Sequence, residues 1–407
     1  MRVLIIGAGL GGLTVLHGLR TACVDAHIYE RSARQGDQPA SYGIHLNADG
    51  LRALHNNLPP ENWERIDADG VPVPMVVRFH DPHRGVIATI DKRFPENASD
   101  PVTKRRAISR GKLRDALLRG TDSENEPIVH WDKAFTRYEP TDNGVRAFFS
   151  DGTRADGDIL VGADGSNSRV RRQRLPDLRR QELGIVNIAG RVPLAGDVAT
   201  TLPAEFTDGG INNIVPARTG WMFLSTWATG DGAARYLVWA WAAAENSYPP
   251  GVRDLDGADL KQLVTDRTSS WSAPLRTLIH ATDPATITTV PLRTMPHLPN
   301  WTSTRVTLLG DAIHNMTPMA GIGANTALRD ADQLRRALST HDNPVQAVDA
   351  YETAMRDYAN EALKLSTRNA TNAALATSTN RTAFRTLLRA GTRVPALQRK
   401  MFGPTNR

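Results

Sequence analysis

Residues 2–12, Arg2-Val3-Leu4-Ile5-Ile6-Gly7-Ala8-Gly9-Leu10-Gly11-Gly12, indicate the fold class of this chain most directly. Its first five residues predict a buried parallel strand. Gly7 then permits a tight turn, Gly9 lets the backbone approach a pyrophosphate, and Gly12 lets the following helix pack closely on the strand. A second strand, predicted over 26–29, ends at Glu30, where a carboxylate can accept hydrogen bonds from ribose hydroxyls. The stretch therefore predicts a βαβ unit of the kind that binds nucleotides.

A glycine-rich apolar turn is the alternative interpretation of residues 7–12. The context favours a phosphate-binding loop, because the loop follows a strand, precedes a helix and is completed by Glu30 at a strand end. The helix N-terminus would present free N–H groups and partial positive charge to the phosphates. Glu30 favours an unphosphorylated ribose, as in FAD or NAD, since a carboxylate repels a 2′-phosphate. Leu10 and Arg31 complete the candidate cofactor-binding residues in this region.

Two further motifs follow strands that are predicted from apolar runs. They are Asp164-Gly165 and Gly310-Asp311. The carboxyl ends of parallel strands form the ligand-facing edge of a sheet, so Asp311 can accept hydrogen bonds from a polyol such as a ribityl chain. Each motif also has a plainer interpretation. Asp164 could belong to a tight turn with Arg169 and Arg171 solvated, and Asp311 could be a helix cap or turn residue.

The segment Gly321-Ile322-Gly323-Ala324-Asn325 lies ten to fourteen residues after Asp311, at the start of a helix predicted over 323–338. Free amides at a helix start carry partial positive charge and would stabilise negative charge on a reduced flavin. One extended ligand, bound by several separate segments, accounts for all of these motifs together. FAD is the cofactor that this pattern indicates.

Composition indicates a globular enzyme of two domains. The chain has 407 residues, of which 40% are hydrophobic and 23% charged, both ordinary for a soluble protein. The 49 basic and 43 acidic residues give a net charge of +6, which does not indicate a nucleic-acid partner.

Cys23 is the single cysteine, so we expect no internal disulfide, no cysteine-rich metal site and a reducing compartment. The apolar run 3–16 is shorter than the ~20 residues of a membrane span, so we expect a cytoplasmic protein without membrane association.

Basic residues concentrate at the C-terminal end, where no acidic residue follows Glu361. The basic residues after that point are Lys364, Arg368, Arg381, Arg385, Arg389, Arg393, Arg399, Lys400 and Arg407. The four arginines between 381 and 393 recur every four residues and would form an arginine ridge on a helix. An anionic partner or membrane surface is one interpretation of this ridge. The solvated face of a packed or dimer-forming helix is the favoured one. We expect a monomer or homodimer, with the helix broken near Gly391 and Pro395.

The predicted fold class is α/β, with a Rossmann-like FAD-binding domain of the glutathione-reductase type, an inserted antiparallel-sheet substrate domain and C-terminal helices. The FAD-binding domain would be discontinuous and comprise residues 1–75, 104–178 and 296–340. The substrate domain would comprise residues 76–103 and 179–295, where short apolar runs alternate with turn residues. Residues 341–407 would form the C-terminal helical region.

The motifs, in this order, resemble those of the class A flavoprotein monooxygenases, the single-component aromatic hydroxylases typified by para-hydroxybenzoate hydroxylase. The family pattern GxGxxG corresponds to residues 7–12, DGxxSxxR to residues 164–171, and GD to residues 310–311. The resemblance covers roughly residues 1–340. It implies that Gly7, Gly9, Gly12 and Glu30 bind the ADP half of FAD.

The same resemblance implies roles for residues in the other motifs. Arg110 would contact the cofactor near the pyrophosphate and the ribityl chain, with a solvated helix-end arginine as the alternative. Asp164 would contribute to recognition of FAD and NAD(P)H, and Asp311 would bind the ribityl chain and pyrophosphate region. The amides of Gly323 to Asn325 would contact the flavin ring. Ile322 departs from the family pattern, since many members carry Gln there.

The resemblance also implies a reaction. NADH or NADPH would dock transiently and reduce FAD, O2 would give a flavin C4a-hydroperoxide, and one oxygen atom would hydroxylate or epoxidise an aromatic or polycyclic small molecule. The protein would position the reactants and exclude water. Two alternatives stay open: a flavoprotein oxidase or reductase that inserts no oxygen, and a flavin-free NAD-binding protein.

The sequence does not single out a catalytic acid or base. His45 lies in a segment that runs near the flavin in relatives, and His314 lies three residues after Asp311. Both are weak candidates, and each is better explained as a structural histidine. No metal site is expected.

Overall fold

The computed structural model describes residues 1–34, 43–73, 76–83, 85–91, 102, 105–121, 127–228 and 235–393. The strands are β1 Arg2–Ile6, β2 Asp25–Tyr29, β3 Gly43–Leu46, β4 Val71–Pro72, β5 Val76–Asp81, β6 Gly85–Asp91, β7 Arg106–Ser109, β8 Val129–His130, β9 Phe135–Pro140, β10 Val145–Phe149, β11 Arg154–Gly157, β12 Ile159–Gly162, β13 Gln181–Pro193, β14 Ile211–Ile214, β15 Trp221–Ala228, β16 Arg235–Ala244, β17 Thr288–Thr294 and β18 Val306–Leu308. The α-helices are α1 Leu10–Thr21, α2 Ala48–Asn57, α3 Pro60–Asp69, α4 Arg110–Leu118, α5 Arg169–Arg174, α6 Gly196–Thr201, α7 Gly257–Thr268, α8 Ala273–Ala281, α9 Asp311–His314, α10 Gly323–Thr340, α11 Pro344–Ala374 and α12 Ser378–Arg393.

The first of two compact units comprises Met1–Val71, Ser99–Gln181 and Arg293–Thr367. Its main sheet has five parallel strands in the order β18-β12-β1-β2-β8. Ile5 of β1 pairs with Val161 on one side and Ile28 on the other. The central strand is apolar and buried because a parallel sheet is covered on both faces. This sheet confirms the predicted Rossmann-like half of the fold.

Two smaller sheets belong to the same unit. Strands β9, β10 and β11 form an antiparallel sheet, in which Ala147 pairs with Tyr138 and Ala155. Strands β3 and β7 also pair antiparallel, with His45 opposite Ala107. The second pair places the segment around His45 next to the strand that leads into α4.

The second compact unit comprises Pro72–Ala98, Glu182–Leu292 and Arg368–Arg407. Its seven-stranded sheet has the order β17-β13-β16-β15-β14-β5-β6. The pairs β13–β16, β16–β15, β15–β14 and β5–β6 are antiparallel, whereas β14 and β5 are parallel. One face of this sheet and helices α7 and α8 share a core that contains Trp239, Trp241 and Leu278. The expected antiparallel sheet is thus present, with one parallel pair inside it.

The arginine ridge on α12 is not a solvated face, and the expectation that it would be is wrong for its first two members. Arg381 is 2% exposed and donates to the carbonyl oxygens of Gly220, Ala373 and Ala376. Arg385 binds the Asp81 carboxylate. Carbonyl and carboxylate oxygens satisfy these guanidinium groups inside the second unit, so burial does not leave them uncompensated.

The C-terminal helices differ from the predicted pattern in one respect. The chain leaves helical geometry after Ala374 and resumes it at Ser378, and Gly391 lies within α12. The described part of α12 ends at Arg393, between Gly391 and Pro395, so the predicted break near these two residues stays a prediction. Pro395, Arg399, Lys400 and Arg407 lie outside the described residues. Among the helices that the structure describes, none has the length and hydropathy of a membrane span.

Candidate cofactor-binding site

The first glycine loop has a backbone that only glycine accommodates. Gly7 has a φ of +109°, and a Cβ atom built on it would lie 2.5 Å from the carbonyl oxygen of Ala163. A Cβ atom on Gly12 would lie 2.2 Å from the carbonyl oxygen of Gly7. The loop therefore packs directly on the end of β12, with no space for side chains at these two positions.

Gly9 marks the open side of the same loop. It is the N-cap of α1, and no side chain among the described residues caps this helix. A Cβ atom on Gly9 would meet nothing nearer than the Ala163 carbonyl oxygen at 4.0 Å. The first amides of α1 therefore face space that a phosphate can enter, which is the arrangement that binds anions at helix N-termini. Leu10, the first residue of α1, is buried beside this opening.

Glu30 stabilises the loop from the neighbouring strand. Its Oε2 accepts a hydrogen bond from the Ala8 amide at 2.7 Å, and its Oε1 accepts one from the Ser32 amide at 2.9 Å. An ionised carboxylate has about four acceptor positions, so two remain for ribose hydroxyls. Glu30 thus orders the loop and keeps the capacity that the predicted role requires.

The two carboxylate oxygens of Asp164 differ in their hydrogen bonding to the described residues. Its Oδ2 accepts from the Arg169 amide at 2.7 Å and from the Val170 amide at 3.3 Å, which caps the start of α5. Its Oδ1 is buried and has no hydrogen-bond partner within the described part of the chain. A buried carboxylate oxygen without a partner is costly, so this atom indicates a place where a ligand donor binds.

Arg171 joins the second and third motifs. It is 5% exposed, and its guanidinium donates to the carbonyl oxygen of Ala312 at 2.7 Å and to that of Ser166 at 3.1 Å. The interpretation of Arg171 as a solvated side chain is therefore wrong. The DGxxSxxR pattern at residues 164–171 contains this arginine, but its partner, Ala312, is too distant in sequence to be inferred from spacing.

The third motif begins at the end of β18. Gly310 has a φ of +61°, and a Cβ atom on it would lie 3.0 Å from the Cβ atom of Ala327. Asp311 follows as the first residue of α9 and is exposed. The turn therefore presents the Asp311 side chain at the carboxyl end of the parallel sheet. Gly321 also has a positive φ, of +64°, shortly before α10 begins.

Asn325 connects the start of α10 to the His45 segment. Its Oδ1 accepts from the Asn47 amide at 2.9 Å, and its Nδ2 donates to the His45 carbonyl oxygen at 2.9 Å. The first amide of α10 that bonds inside the helix is that of Thr326, to Ile322. The amides of Gly323, Ala324 and Asn325 precede it, and no described side chain caps this helix. The Asn325 side chain thus has a structural role in addition to the amide role predicted for it.

The two candidate histidines occupy different surroundings. Burial, and to a lesser extent the positive charge of Arg105, lower the pKa of His45 to about 3. His45 is therefore neutral near pH 7 and a weak base, which does not favour general base catalysis. His314 is fully buried, and its Nε2 lies 2.6 Å from Oδ2 of Asp330. Such burial does not favour direct contact between His314 and a substrate.

Arg31 and Arg110 are exposed. Arg31 follows the end of β2, and Arg110 is the first residue of α4, directly after Ser109, which pairs with Gly43 of β3. Arg110 therefore starts its helix beside the His45 segment. The cofactor contacts of both arginines stay predictions.

These residues fit FAD. Among the described residues, a glycine-rich loop, two helix N-termini that no side chain caps and the Asp164 oxygen without a partner lie at the carboxyl end of one parallel sheet. The α1 loop and Glu30 would hold the ADP half, and Asp311 with the first amides of α10 would hold the ribityl–flavin half. No cluster of metal-binding side chains occurs among the described residues.

The fold and the site together define a nucleotide-binding α/β protein. The family model described as FAD binding domain matches residues 1–366, and the chain belongs to this family. The family prediction and the cofactor prediction, FAD, are thereby confirmed.

Curated relatives include a dual O-methyltransferase/FAD-dependent monooxygenase of Cercospora beticola, which is 27% identical over an alignment of 391 positions that covers 87% of this chain and 44% of that protein. The chain thus spans less than half the length of this relative. An FAD-dependent urate hydroxylase of Klebsiella pneumoniae is 28% identical over an alignment of 344 positions that covers 81% of this chain and 79% of that protein. A solved structure from Photorhabdus luminescens, provisionally described as an FAD containing monooxygenase, is 40% identical, with a TM-score of 0.83 over 92% of this chain and 99% of that chain.

Proposed function

We propose that this protein is an FAD-dependent monooxygenase that uses NADH or NADPH and O2 to hydroxylate or epoxidise a small aromatic or polycyclic compound. One observation carries the proposal. Three segments far apart in sequence meet in the first unit and leave open amides and one buried carboxylate oxygen at a single sheet edge. The names of the Klebsiella urate hydroxylase and the Cercospora monooxygenase support oxygen insertion.

The residues of this chain bind and orient the cofactor. Bound FAD supplies redox and oxygen-transfer chemistry that amino-acid side chains lack. The amides at the start of α1 would neutralise the pyrophosphate, and Glu30 would select an unphosphorylated ribose. Asp311 would orient the ribityl chain, and the α10 amides would stabilise negative charge on the reduced ring.

The sheet of the second unit offers a platform for a flat substrate. Side chains alternate between the faces of a strand, so Asn187, Ser225 and Ala240 lie on the face opposite the Trp239 and Trp241 core. Asn187 Oδ1 and Ser225 Oγ are buried without a hydrogen-bond partner in the described ranges. We propose that polar groups of the substrate bind these two atoms while its rings lie over the small side chains between them.

Flavin uptake tests the cofactor part of the proposal. The purified protein is expected to show the flavin absorption bands, and Asp311→Ala is expected to lose most of its FAD. Asp177→Ala is the control, since Asp177 is an exposed carboxylate of the same unit. A colourless wild-type protein that takes up no added FAD would contradict the proposal, and full occupancy in Asp311→Ala would contradict the role of that residue.

Oxygen labelling tests the reaction. With 18O2, a panel of aromatic and polycyclic phenols and NAD(P)H, we expect substrate-stimulated NAD(P)H oxidation and one 18O atom in the product. Stoichiometric H2O2 without labelled product would instead identify an oxidase or reductase. Binding of NAD by a protein that takes up no flavin would support the flavin-free alternative.

The remaining proposals concern the cell and the assembly. We propose a cytoplasmic monomer or homodimer, because a single cysteine suits a reducing compartment. Light scattering of the flavin-bound protein tests the assembly, and fractionation of the native cells tests the compartment.

A further inference from the structure

Two fully buried side chains and one half-buried tyrosine form a hydrogen-bonded chain directly behind the Gly310–Asp311 turn. Asp330 is fully buried, and its Oδ2 accepts from the Gly310 amide at 2.7 Å and lies 2.6 Å from Nε2 of His314. Its other oxygen, Oδ1, accepts from the hydroxyl of Tyr358 at 2.7 Å. We call Asp330, His314 and Tyr358 the Asp330 network. Its carboxylate fixes the amide of the glycine that immediately precedes Asp311.

Helix α11 binds the strand that leads into this turn. The Thr307 hydroxyl donates to Oε1 of Glu352 at 2.9 Å, and the Tyr351 hydroxyl donates to the Leu308 carbonyl oxygen at 3.0 Å. Tyr358 lies seven residues after Tyr351, on the same helix face. Helix α11 thus contacts the end of β18 directly at 307 and 308, and reaches Gly310 through Asp330.

We propose that the Asp330 network positions Asp311 for the flavin cofactor, so that Tyr358, Asp330 and His314 are positioning residues for FAD binding although none of them faces the cofactor site. This inference rests on the proposed function. Gly310 has a positive φ. Because glycine adopts many other backbone conformations about as readily, a contact from outside the turn is needed to hold this one. The Asp330 carboxylate provides this contact in the folded protein.

The positive charge of protonated His314 gives the Asp330 network a second effect on FAD binding. Burial alone would lower the pKa of His314, but the negative charge of Asp330, the hydrogen bond to it and a smaller contribution from Asp311 raise the pKa above its ordinary value. A protonated His314 places a positive charge behind a turn that would bind an anionic cofactor. The groups around it are Asp311 on α9, Asp330 on α10, Tyr351 and Tyr358 on α11, and Arg171, which reaches Ala312 from α5.

The first experiment separates positioning from stability. Tyr358→Phe removes one hydroxyl and leaves the ring in place, and Tyr351→Phe is the matched control on the same helix. We expect similar decreases in the Tm of the two apoproteins. We expect the FAD dissociation constant, from fluorescence titration, to rise about 3–10-fold for Tyr358→Phe, because only part of the free energy of its hydrogen bond to the Asp330 carboxylate passes to FAD binding. It should rise less than about 2-fold for Tyr351→Phe.

The second experiment uses pH. His314→Gln keeps a donor beside Asp330 and removes the titrating group. Wild-type FAD affinity is expected to fall as pH rises through the elevated pKa of His314, and His314→Gln is expected to lack this fall. Equal FAD dissociation constants for the two tyrosine variants, or superimposable pH profiles for wild type and His314→Gln, would overturn the inference. If Asp311→Ala still loses FAD in that case, only this inference fails; if Asp311→Ala retains FAD, the proposed role of Asp311 fails as well.

Discussion

Arg171 and Ala312 are 141 residues apart in sequence, yet the guanidinium of the first donates to the carbonyl oxygen of the second at 2.7 Å. The same guanidinium donates to Ser166 in the turn after β12. One buried side chain therefore fixes the distance between the Asp164 turn and the Asp311 turn. The two carboxylates proposed to contact the cofactor depend on it for their relative placement.

Replacement of Arg171 should affect both stability and FAD binding. Arg171→Gln would leave the Ala312 and Ser166 carbonyl oxygens without their charged donor, at a cost of about 2–4 kcal/mol. We expect a lower urea midpoint for the apoprotein and an FAD dissociation constant raised at least 10-fold. Arg172→Gln, an exposed neighbour on α5, should change neither quantity. Equal behaviour of the two variants would show that the bridge is dispensable.

Alanine substitutions at Gly12 and Gly9 should differ in effect: the first should lower stability and the second should weaken FAD binding. Gly12→Ala would place a Cβ atom 2.2 Å from the Gly7 carbonyl oxygen, so we expect about 3 kcal/mol of destabilisation, the upper end of overpacking costs. Gly9→Ala has open space and should cost the apoprotein less than about 1 kcal/mol. Its methyl group would instead obstruct the pyrophosphate and weaken FAD binding at least 10-fold. Thermal melts with and without FAD separate the effects, and a destabilised Gly9→Ala apoprotein would contradict this assignment.

The stability of the apoprotein should fall at alkaline pH because of His314. Its pKa in the folded state lies above the ordinary value near 6.5. A raised pKa contributes stability that is fully present below pH 6.5 and is lost as pH rises through the folded-state pKa. We therefore expect wild type to lose more stability than His314→Gln between about pH 6 and pH 9. Parallel urea midpoints for the two proteins across this range would indicate that His314 does not titrate there.

Arg381 should be required for the docking of α12 within the second unit. Arg381→Met would leave three carbonyl oxygens without a donor, and we expect about 2–4 kcal/mol of destabilisation. Arg389→Met is the control from the same ridge, since the Arg389 side chain is 49% exposed. We expect it to change stability by less than about 0.5 kcal/mol. Limited proteolysis near residue 376 would report release of the helix, and equal protection of both variants would argue against the anchoring role.

Local patterns in the sequence predicted much of the first unit. The strand predicted over residues 2–6 and the helix start predicted at Gly323 agree with the structure, because apolar runs and glycines act within a few residues. Glu30 was identifiable for the same reason, since its distance from the glycine loop is set by one helix and one strand.

The contacts that sequence analysis missed are those between distant segments. The interactions of Asp330 with Gly310 and of Arg171 with Ala312 arise only after the sheet has brought separate strands together. The arginine ridge illustrates the same limit. Its four-residue spacing predicted one helix face, but whether that face meets water or carbonyl groups depends on strands more than 150 residues away. Ser225, whose Oγ we propose as a contact for the substrate, belongs to no sequence motif.

The strand order of the main sheet also affects how the chain folds while it is being synthesised. Strand β1 is made first, but its neighbour β12 begins 153 residues after β1 ends. At about 5–20 residues per second, translation leaves one apolar edge of β1 open for roughly 8–30 s. An open edge pairs readily with other chains. We therefore expect chaperones that bind the nascent chain to raise the yield of folded protein by covering this edge until β12 is made.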